Sequence, residues 1–248
     1  MRVTKTLLVS AHPGHELRLH HWMELVRPDV FFITDGSGSA GKPRTDSSRR
    51  VIDEVGATLL DGSGRLPDQR LYAAMRQRDL AFFRALRMQI AGLIQTNGYD
   101  EVVCDGLEGY NTAHDWCHYL VRSLAGAMQV RAFEHPLAEP SDAWLGENLR
   151  RIPLDDEAMA RKHRAALGYP EMAHEVKGSI ERWGVRALNL EVLRPIADRE
   201  TPPPPPGSPP YYEVFGERRV SEGSYAEVIR WESHLRRLVE EIWRSALD

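Results

Sequence analysis

The stretch that decides the fold reads Thr6-Leu7-Leu8-Val9-Ser10-Ala11-His12-Pro13-Gly14-His15-Glu16. Its first four residues form an apolar run typical of a short buried strand, and Pro13 and Gly14 end that strand. Two imidazoles and a carboxylate therefore follow the carboxyl end of a predicted central strand. Ligands of open α/β sheets bind at that edge, and neutral imidazole is a frequent metal ligand. The alternative interpretation is an ordinary strand-to-helix loop that happens to be polar.

Length, composition and charge indicate a globular protein. The chain has 248 residues, enough for one large α/β domain or two small ones, with 42% hydrophobic and 27% charged residues. The net charge of -4 argues against nucleic acid or an anionic membrane as a partner, because no basic field would attract either. The sequence has two cysteines, no apolar run of membrane-spanning length and no secretion-signal pattern. We therefore expect a cytoplasmic protein, and the sequence does not decide between a monomer and an oligomer.

Short apolar strands alternate with helical segments along the first half of the chain. Strands are predicted at Thr6–Val9, Asp29–Thr34, Glu101–Cys104 and Val130–Phe133. Helices are predicted at Glu16–Val26, at Asp46–Leu60, from Asp68 or Gln69 to about Thr96, and from His114 to near Gly126. This alternation predicts the fold class, which is an α/β Rossmann-like three-layer sandwich with a mostly parallel sheet.

The pattern changes beyond Pro136. A helix is predicted over Asp155–Ala166. Residues 201–210, TPPPPPGSPP, indicate an extended polyproline spacer, since proline fixes φ and lacks an N–H donor. A further amphipathic helix over Ser221–Ala246 is predicted to pack back on the body. We therefore divide the chain into an α/β domain (1–200), a proline-rich linker (201–210) and a C-terminal helical tail (211–248).

Three histidines on two predicted loops form a candidate metal site. His12 and His15 follow the first strand, and His114 follows the third. Right-handed crossovers place such loops at one edge of the sheet. Three protein ligands and a water molecule are the arrangement of a catalytic zinc site. His118 lies one helical turn from His114 and is an alternative ligand, and a structural or surface role is the alternative for each histidine alone.

Three motifs, taken in order along the chain, carry a family resemblance. They are the strand with Ala11-His12-Pro13-Gly14-His15-Glu16, the strand with Thr34-Asp35-Gly36, and a histidine-containing loop that opens a helix at His114. This order resembles the PIG-L/LmbE-like metal-dependent N-deacetylases, whose first motif is A-H-P-D-D-E and whose later motif is H-P-D-H or H-x-x-H. The order of elements matches from about residue 5 to residue 135. The resemblance implies removal of an acetyl group from an N-acetyl amino sugar.

The first motif departs from the family pattern at two positions. The resemblance puts Gly14 where the family has its general-base aspartate, and His15 where it has a metal-binding aspartate. His15 can still bind zinc. Aligning the later motif on His114 puts Asn111 where members often have an oxyanion-stabilising histidine, and an amide can also donate to an oxyanion.

The first hypothesis for function is a zinc-dependent hydrolase that deacetylates an N-acetyl amino sugar or a glycosylated intermediate. Zn²⁺ would be held by the three histidines named above, and Asn111 would stabilise the oxyanion. Glu16 or Asp115 would accept the proton of water. Structural roles explain these residues equally well, because Glu16 can start a helix and Asp115 can orient a histidine.

Two further residues are candidates for binding substrate. Asp35 and Arg44 follow the second strand and are candidates for binding substrate hydroxyls, with surface roles as the alternative. The glycine-rich stretch 36–42 does not have the spacing of a phosphate-binding loop.

The second hypothesis for function is a non-catalytic or repurposed member of the family that binds a glycan or related metabolite. Gly14 favours this hypothesis, because glycine cannot act as a base.

Overall fold

A central, mostly parallel sheet organises the molecule. The computed structural model describes residues 4–38, 41–184, 188–197 and 200–244. Within these residues the sheet has seven strands: β1 (Thr6–Ser10), β2 (Asp29–Phe32), β3 (Thr58–Leu59), β4 (Glu101–Asp105), β5 (Arg131–His135), β6 (Arg150–Pro153) and β7 (Leu190–Pro195). Their order is β3-β2-β1-β4-β5-β7-β6. The first five strands in this order pair in parallel, and β7 pairs antiparallel with both β5 and β6. The predicted fold class is confirmed.

Helices cover both faces of the sheet and make it the middle of three layers. They are α1 (His20–Val26), α2 (Thr45–Glu54), α3 (Asp68–Gln77), α4 (Leu80–Asn97), α5 (Thr112–Met128), α6 (Asp156–Leu167), α7 (Ala173–Trp183), α8 (Tyr211–Ser221) and α9 (Arg236–Arg244). Alternate residues of β1 serve the two cores: Leu7 and Val9 pack in one apolar cluster, and Leu8 packs in the other. This continuous burial explains why β1 has no polar face.

Two predicted helices end earlier than their apolar patterns suggested. The predicted helix from Asp68 to Thr96 is two helices, α3 and α4. Arg78 between them is left-handed with φ 54°, and the side chain of Asp79 caps α4 by accepting a hydrogen bond from the Phe82 amide. The helix predicted to reach Leu60 ends at Glu54, because Gly56 turns the chain with φ 72° into the short strand β3.

The segment before α1 and the C-terminal region also differ from the predictions. His15–Leu19 forms a 3-10 helix ahead of α1. The helix predicted over Ser221–Ala246 is wrong as one element: α8 ends at Ser221, a non-helical segment follows, and a π-helical turn, Trp231–Leu235, leads into α9. Ala246 lies outside the described residues. The helix α9 packs against α4 and α5.

The strand order creates a crevice next to β1. The chain leaves β1 toward β2 on one side, and β4 pairs with β1 on the other side. Loops leaving the carboxyl ends of these neighbouring strands diverge at such a point, and ligands of doubly wound sheets bind there. None of the described helices is both long and apolar enough to cross a membrane.

Candidate functional site

Three imidazoles meet at the crevice between β1 and β4. The ring centroids of His15 and His114 are 4.5 Å apart, and the His12 centroid lies 5.4 Å from that of His15 and 5.5 Å from that of His114. His12 and His15 come from the loop after β1, whereas His114 comes from the first turn of α5. The structure thus brings together the three histidines predicted from sequence; we call them the imidazole cluster.

Hydrogen bonds define the tautomer of His12. Its Nδ1 lies 2.7 Å from Thr34 Oγ1 and 3.0 Å from a carboxylate oxygen of Asp68. Thr34 donates its own hydroxyl proton to the carbonyl oxygen of Ala11, so its oxygen accepts from His12. The proton of the neutral His12 ring is therefore on Nδ1, and the lone pair of Nε2 is available to a ligand.

Asp105 defines the tautomer of His15. His15 Nδ1 lies 2.9 Å from Asp105 Oδ2, and that oxygen also accepts a hydrogen bond from the Ala11 amide at 2.8 Å. A carboxylate only accepts, so the proton of the neutral ring is on Nδ1 and the lone pair is on Nε2. Such a carboxylate–imidazole pair is the usual support of a metal-binding histidine.

Two rings of the imidazole cluster, those of His15 and His114, are held in the neutral state that binds metals. Burial, reinforced by the neighbouring His12, lowers the pKa of His15 well below its usual value. Burial and the neighbouring His15 lower the pKa of His114 in the same way. The Nδ1 of His114 is buried without a hydrogen-bond partner in the structure. One ring nitrogen of the cluster, His114 Nδ1, is therefore available to a ligand.

The donor set fits zinc in its chemistry, but the donors are not arranged as a finished site. In the described part of the chain, no group of three or more His, Cys, Asp or Glu side chains has the arrangement that a metal ion requires. Neutral imidazoles with supported Nδ1 atoms are nevertheless the ligands that zinc prefers. Metal binding would therefore require the imidazoles to shift from the positions described above.

Asn111 faces the imidazole cluster from the N-terminus of α5. Its Oδ1 accepts hydrogen bonds from the Ala113 amide at 2.8 Å and from the Tyr72 hydroxyl at 3.3 Å. The side chain thus caps the helix, and the cap identifies which side-chain atom is oxygen. In the described part of the chain the side-chain hydrogen bonds of Asn111 use Oδ1, so its amide nitrogen can donate into the cavity that the residue lines.

Glu16 lies behind the loop of the imidazole cluster. Its carboxylate accepts hydrogen bonds from the Gly14 amide at 2.6 Å and from the Ser48 hydroxyl at 2.5 Å. Burial raises the pKa of Glu16 to about 7. Gly14 itself lines the cavity with φ 106°, and a Cβ there would lie 2.9 Å from Met172 Sδ. The space beside Gly14 is therefore filled by Met172.

Asp115 and His118 face away from the cluster. Asp115 Oδ1 accepts hydrogen bonds from the amides of Glu108 and Gly109, and burial raises the pKa of Asp115 to about 8. His118 Nδ1 lies 2.9 Å from Glu134, on the sheet side of α5. The described wall of the cavity includes neither Asp115 nor His118.

Asp35 and Arg44 have different positions relative to the cavity. Asp35 is buried and accepts hydrogen bonds from the amides of Ser37 and Asp68, so it holds its own loop. Arg44 lines the cavity, donates to Met172 Sδ at 2.9 Å and lies 3.9 Å from Glu175.

The imidazole cluster lies in a cavity of about 1070 Å³. Side chains from α3, α5, α7, α8 and the segment before the π-helical turn complete its wall. That wall carries aromatic rings as well as the cationic side chains of Arg18, Arg44, Arg76 and Arg182. The volume is at the upper end of the range for small-molecule sites.

Except for Asp105, the residues that orient the cluster carry no local sequence signal of that role. Asp105 is the last residue of β4, and its place at a strand end was a usable signal. Asp68 was considered only as a helix start, and Thr34 only as part of the second strand and of the Thr34-Asp35-Gly36 motif. Their roles depend on contacts between residues 22 to 94 positions apart, which no local pattern contains.

Several solved structures resemble this chain in fold. No protein-family model and no curated protein sequence matches the chain. A triple mutant of the deacetylase of the teicoplanin biosynthetic pathway, Orf2*T, is similar with a TM-score of 0.64, 14% identity, and coverage of 79% of this chain and 99% of that chain. The A40926 pseudoaglycone deacetylase Dbv21 is similar with a TM-score of 0.57, 17% identity, and coverage of 79% and 100%. The zinc-inhibited form of teicoplanin deacetylase Orf2 has a TM-score of 0.55, 11% identity, and coverage of 79% and 99%. The chain shares the fold of these deacetylases.

Proposed function

We propose that this protein is a zinc-dependent N-deacetylase of an N-acetyl amino sugar within a glycosylated compound. The observation that carries the proposal is the imidazole cluster: its three rings line a large cavity together with Asn111, and two of them, His12 and His15, have supported Nδ1 atoms. The shared fold supports it, since the proteins of known structure that resemble the chain include deacetylases for glycopeptide antibiotics.

His12, His15 and His114 would hold the zinc ion. When bound, zinc supplies a Lewis acid that polarises a carbonyl oxygen and makes water nucleophilic near neutral pH. Asp105 keeps the His15 lone pair on Nε2, and Thr34 with Asp68 does so for His12. Asn111 donates from its amide nitrogen to the oxygen that becomes negative as the acetyl carbon turns tetrahedral.

Glu16 is the proposed proton acceptor. Its pKa of about 7 suits proton transfer near neutral pH. Glu16 is fully buried and does not line the described cavity, so to accept the proton it would have to exchange its hydrogen bond from the Gly14 amide for one with water. Asp115 supports the loop that precedes α5. Arg44 is proposed to bind the sugar. Asp35 is proposed to hold the loop that leads to Arg44.

A second candidate function is binding of a glycosylated compound without catalysis. The specific observation in its favour is that Met172 fills the space beside Gly14, where a carboxylate would otherwise stand next to the cluster. Such a protein would keep the cavity and Asn111 but release no acetate.

The first test combines metal content with acetate release. Protein purified without a histidine tag is expected to contain about one zinc ion per chain. His12→Ala and His114→Ala should lose the metal and reduce acetate release from N-acetyl glycosides at least about 100-fold. His118→Asn is the matched control, because it lies on the same helix but pairs with Glu134 instead. It should retain both properties.

Two outcomes would contradict the proposal. Wild-type protein that binds no zinc after incubation with the metal would remove its basis. Zinc-loaded protein that binds N-acetyl glycosides but releases no acetate would favour the binding function. Circular dichroism of each variant separates loss of metal from loss of fold.

A further inference from the structure

A second cavity lies between the helices α1, α2 and α6. Its volume is about 370 Å³, and it shares no lining residue with the larger cavity that holds the imidazole cluster. Part of its lining is apolar, since it includes Val51, Val55 and Ala165 of the buried apolar cluster around Leu8. The proposed deacetylation uses none of the side chains that line this second cavity.

Three arginine side chains line the second cavity from two different helices. Arg50 belongs to α2, whereas Arg161 and Arg164 belong to α6. Guanidinium groups bind phosphate through paired N–H donors that match the geometry of its oxygens. Their meeting at one cavity therefore indicates a site for an anion.

Arg161 is already neutralised by a carboxylate of α1. Its Nε and Nη2 donate to the two oxygens of Glu24 at 2.7 Å and 2.9 Å. The second of these oxygens also lies 2.7 Å from His21 Nδ1. Arg161 and Glu24 thus form a fixed side of the cavity that adds no net charge.

Arg50 and Arg164 keep donors for a ligand. In the described part of the chain, no carboxylate oxygen lies within 4 Å of either guanidinium group. The Nη2 of Arg50 donates to Ser47 Oγ at 3.1 Å, which occupies one of the five N–H donors of this side chain. Two cations from neighbouring helices therefore stand at the cavity without a counter-ion from the protein.

A buried imidazole beside these cations lacks a partner. His20 is 3% exposed and lines the second cavity. Its Nδ1 has no hydrogen-bond partner in the described residues, and Oε1 of Glu24 is 3.8 Å away. Because buried polar groups are normally hydrogen-bonded, an unsatisfied ring at a cavity indicates that a bound molecule belongs there.

The remaining carboxylate of the lining opposes an anion. Glu54 lines the cavity one helical turn after Arg50. Three arginines and two glutamates leave one net positive charge, whereas the whole chain has a net charge of -4. The sign of the local charge therefore still favours an anion, and Glu54 limits how tightly one binds.

We infer that the second cavity binds a phosphate group, either as free phosphate or as the phosphate ester of a small organic molecule. A phosphate ester has three terminal oxygens and nearly two negative charges at neutral pH, enough for both Arg50 and Arg164. A carboxylate has only two oxygens, which a single guanidinium group can fill. The site goes beyond the proposed function, because the two cavities share no lining residue.

Titration calorimetry at constant ionic strength tests the inference. Inorganic phosphate and glycerol 3-phosphate should bind to wild-type protein, and glycerol should not. Arg50→Gln and Arg164→Gln should each weaken phosphate binding at least about fivefold, because each loses charge-assisted hydrogen bonds. Glu54→Gln should strengthen it about two- to fivefold, because the variant removes a repelling charge.

Two control variants locate the bound phosphate. Arg49 precedes Arg50 on α2 and is exposed but does not line the second cavity, and Arg44 lines the larger cavity instead. Arg49→Gln and Arg44→Gln should therefore bind phosphate like wild type. Loss of binding in Arg44→Gln would place the anion in the larger cavity, and equal loss in Arg49→Gln would reduce the effect to surface charge. Either result overturns the inference, as does unchanged binding in both Arg50→Gln and Arg164→Gln.

The two phosphates distinguish the sources of the group. Tighter binding of glycerol 3-phosphate assigns an ester, whose carbon atoms would contact the apolar part of the lining, whereas equal affinity assigns free phosphate. Arg50 and Arg164 are exposed, so their variants should fold, and circular dichroism checks this. None of these measurements depends on zinc or on acetate release, so the phosphate site and the deacetylase proposal can fail separately.

Discussion

Glu16 is a carboxyl group buried behind the loop that carries two of the three clustered imidazoles. In the folded protein its pKa rises to about 7 because burial disfavours the charged form, whereas its ordinary value is 4.5. Between these pH values the folded state binds more protons than the unfolded chain. The contribution of Glu16 to the free energy of unfolding is therefore complete below about pH 4.5 and is lost as the pH rises through about 7.

At the residue scale we predict that Glu16→Gln changes how stability depends on pH. Glutamine keeps an acceptor for the Gly14 amide but cannot ionise. The free energy of unfolding of the variant should therefore gain about 2 kcal/mol relative to wild type between pH 5 and pH 8. Urea denaturation at both pH values measures this difference.

The control for this measurement is Glu171→Gln. Burial is outweighed by the hydrogen bond from the Ser47 hydroxyl, which lowers the pKa of Glu171 below its usual value, so Glu171 stays ionised from pH 5 to pH 8 and its variant should show no change with pH. If the free energies of unfolding of Glu16→Gln and wild type differ by the same amount at both pH values, Glu16 titrates as an ordinary glutamate. That result would contradict a proton-transfer role for Glu16.

The helix α5 connects the fold to the candidate site. Its N-cap, Asn111, uses the side-chain oxygen for the Ala113 amide and leaves the nitrogen for the cavity. One turn later, His114 joins the imidazole cluster. The helix cap and the proposed stabilisation of the oxyanion thus use two different atoms of the same asparagine.

At the scale of the element we predict that two substitutions of Asn111 separate these roles. Asn111→Ala removes the cap and should lower the free energy of unfolding by about 1 kcal/mol. Asn111→Asp keeps an acceptor for the Ala113 amide and should remain within about 0.5 kcal/mol of wild type, while losing the donor for the oxyanion. Thermal denaturation and acetate release measure the two effects.

Asp79→Ala is the matched control for the cap. Asp79 caps α4 in the same way through the Phe82 amide, and its variant should lose about 1 kcal/mol of stability with unchanged acetate release. Equal destabilisation by Asn111→Asp and Asn111→Ala would mean that the amide nitrogen serves the fold.

The C-terminal helix α9 takes part in the main hydrophobic core of the molecule. Leu238 and Ile242 are buried in the same apolar cluster as Leu7, Val9 and Val102 of the central strands. Trp231, in the π-helical turn, stacks on Tyr119 of α5 with centroids 5.5 Å apart. We propose that the region after the proline-rich segment folds together with the sheet as one cooperative unit.

At the scale of the whole molecule we predict that Leu238→Ala destabilises the entire protein. Leu238 is 3% exposed, so the cavity left behind should cost about 2–5 kcal/mol in a single unfolding transition. Leu25→Ala is the control, since Leu25 is a helical leucine that is 64% exposed and should change stability by no more than about 0.5 kcal/mol. Two separate transitions, or a small effect of Leu238→Ala, would show that the C-terminal region unfolds independently.

Local patterns predicted the elements that are continuous and buried. β1, β2, β4 and β5 were recognisable because parallel strands covered on both faces consist of apolar runs. The edge strand β6 was missed, because it alternates between half-buried and exposed positions and carries two arginines. The break at Arg78 was missed because arginine favours helix, so the residue gives no local signal for the left-handed conformation that it adopts.

The sequence by itself determined the fold class and the histidines that follow β1 and open α5, because both depend on residues that are neighbours along the chain. Only the tertiary structure decided which groups support those histidines and what else borders their cavity. Asp105 lies 90 positions from His15, and Phe215 lies on a helix about one hundred positions beyond Tyr110. Such pairings arise from strand order and helix packing, so no local spacing encodes them.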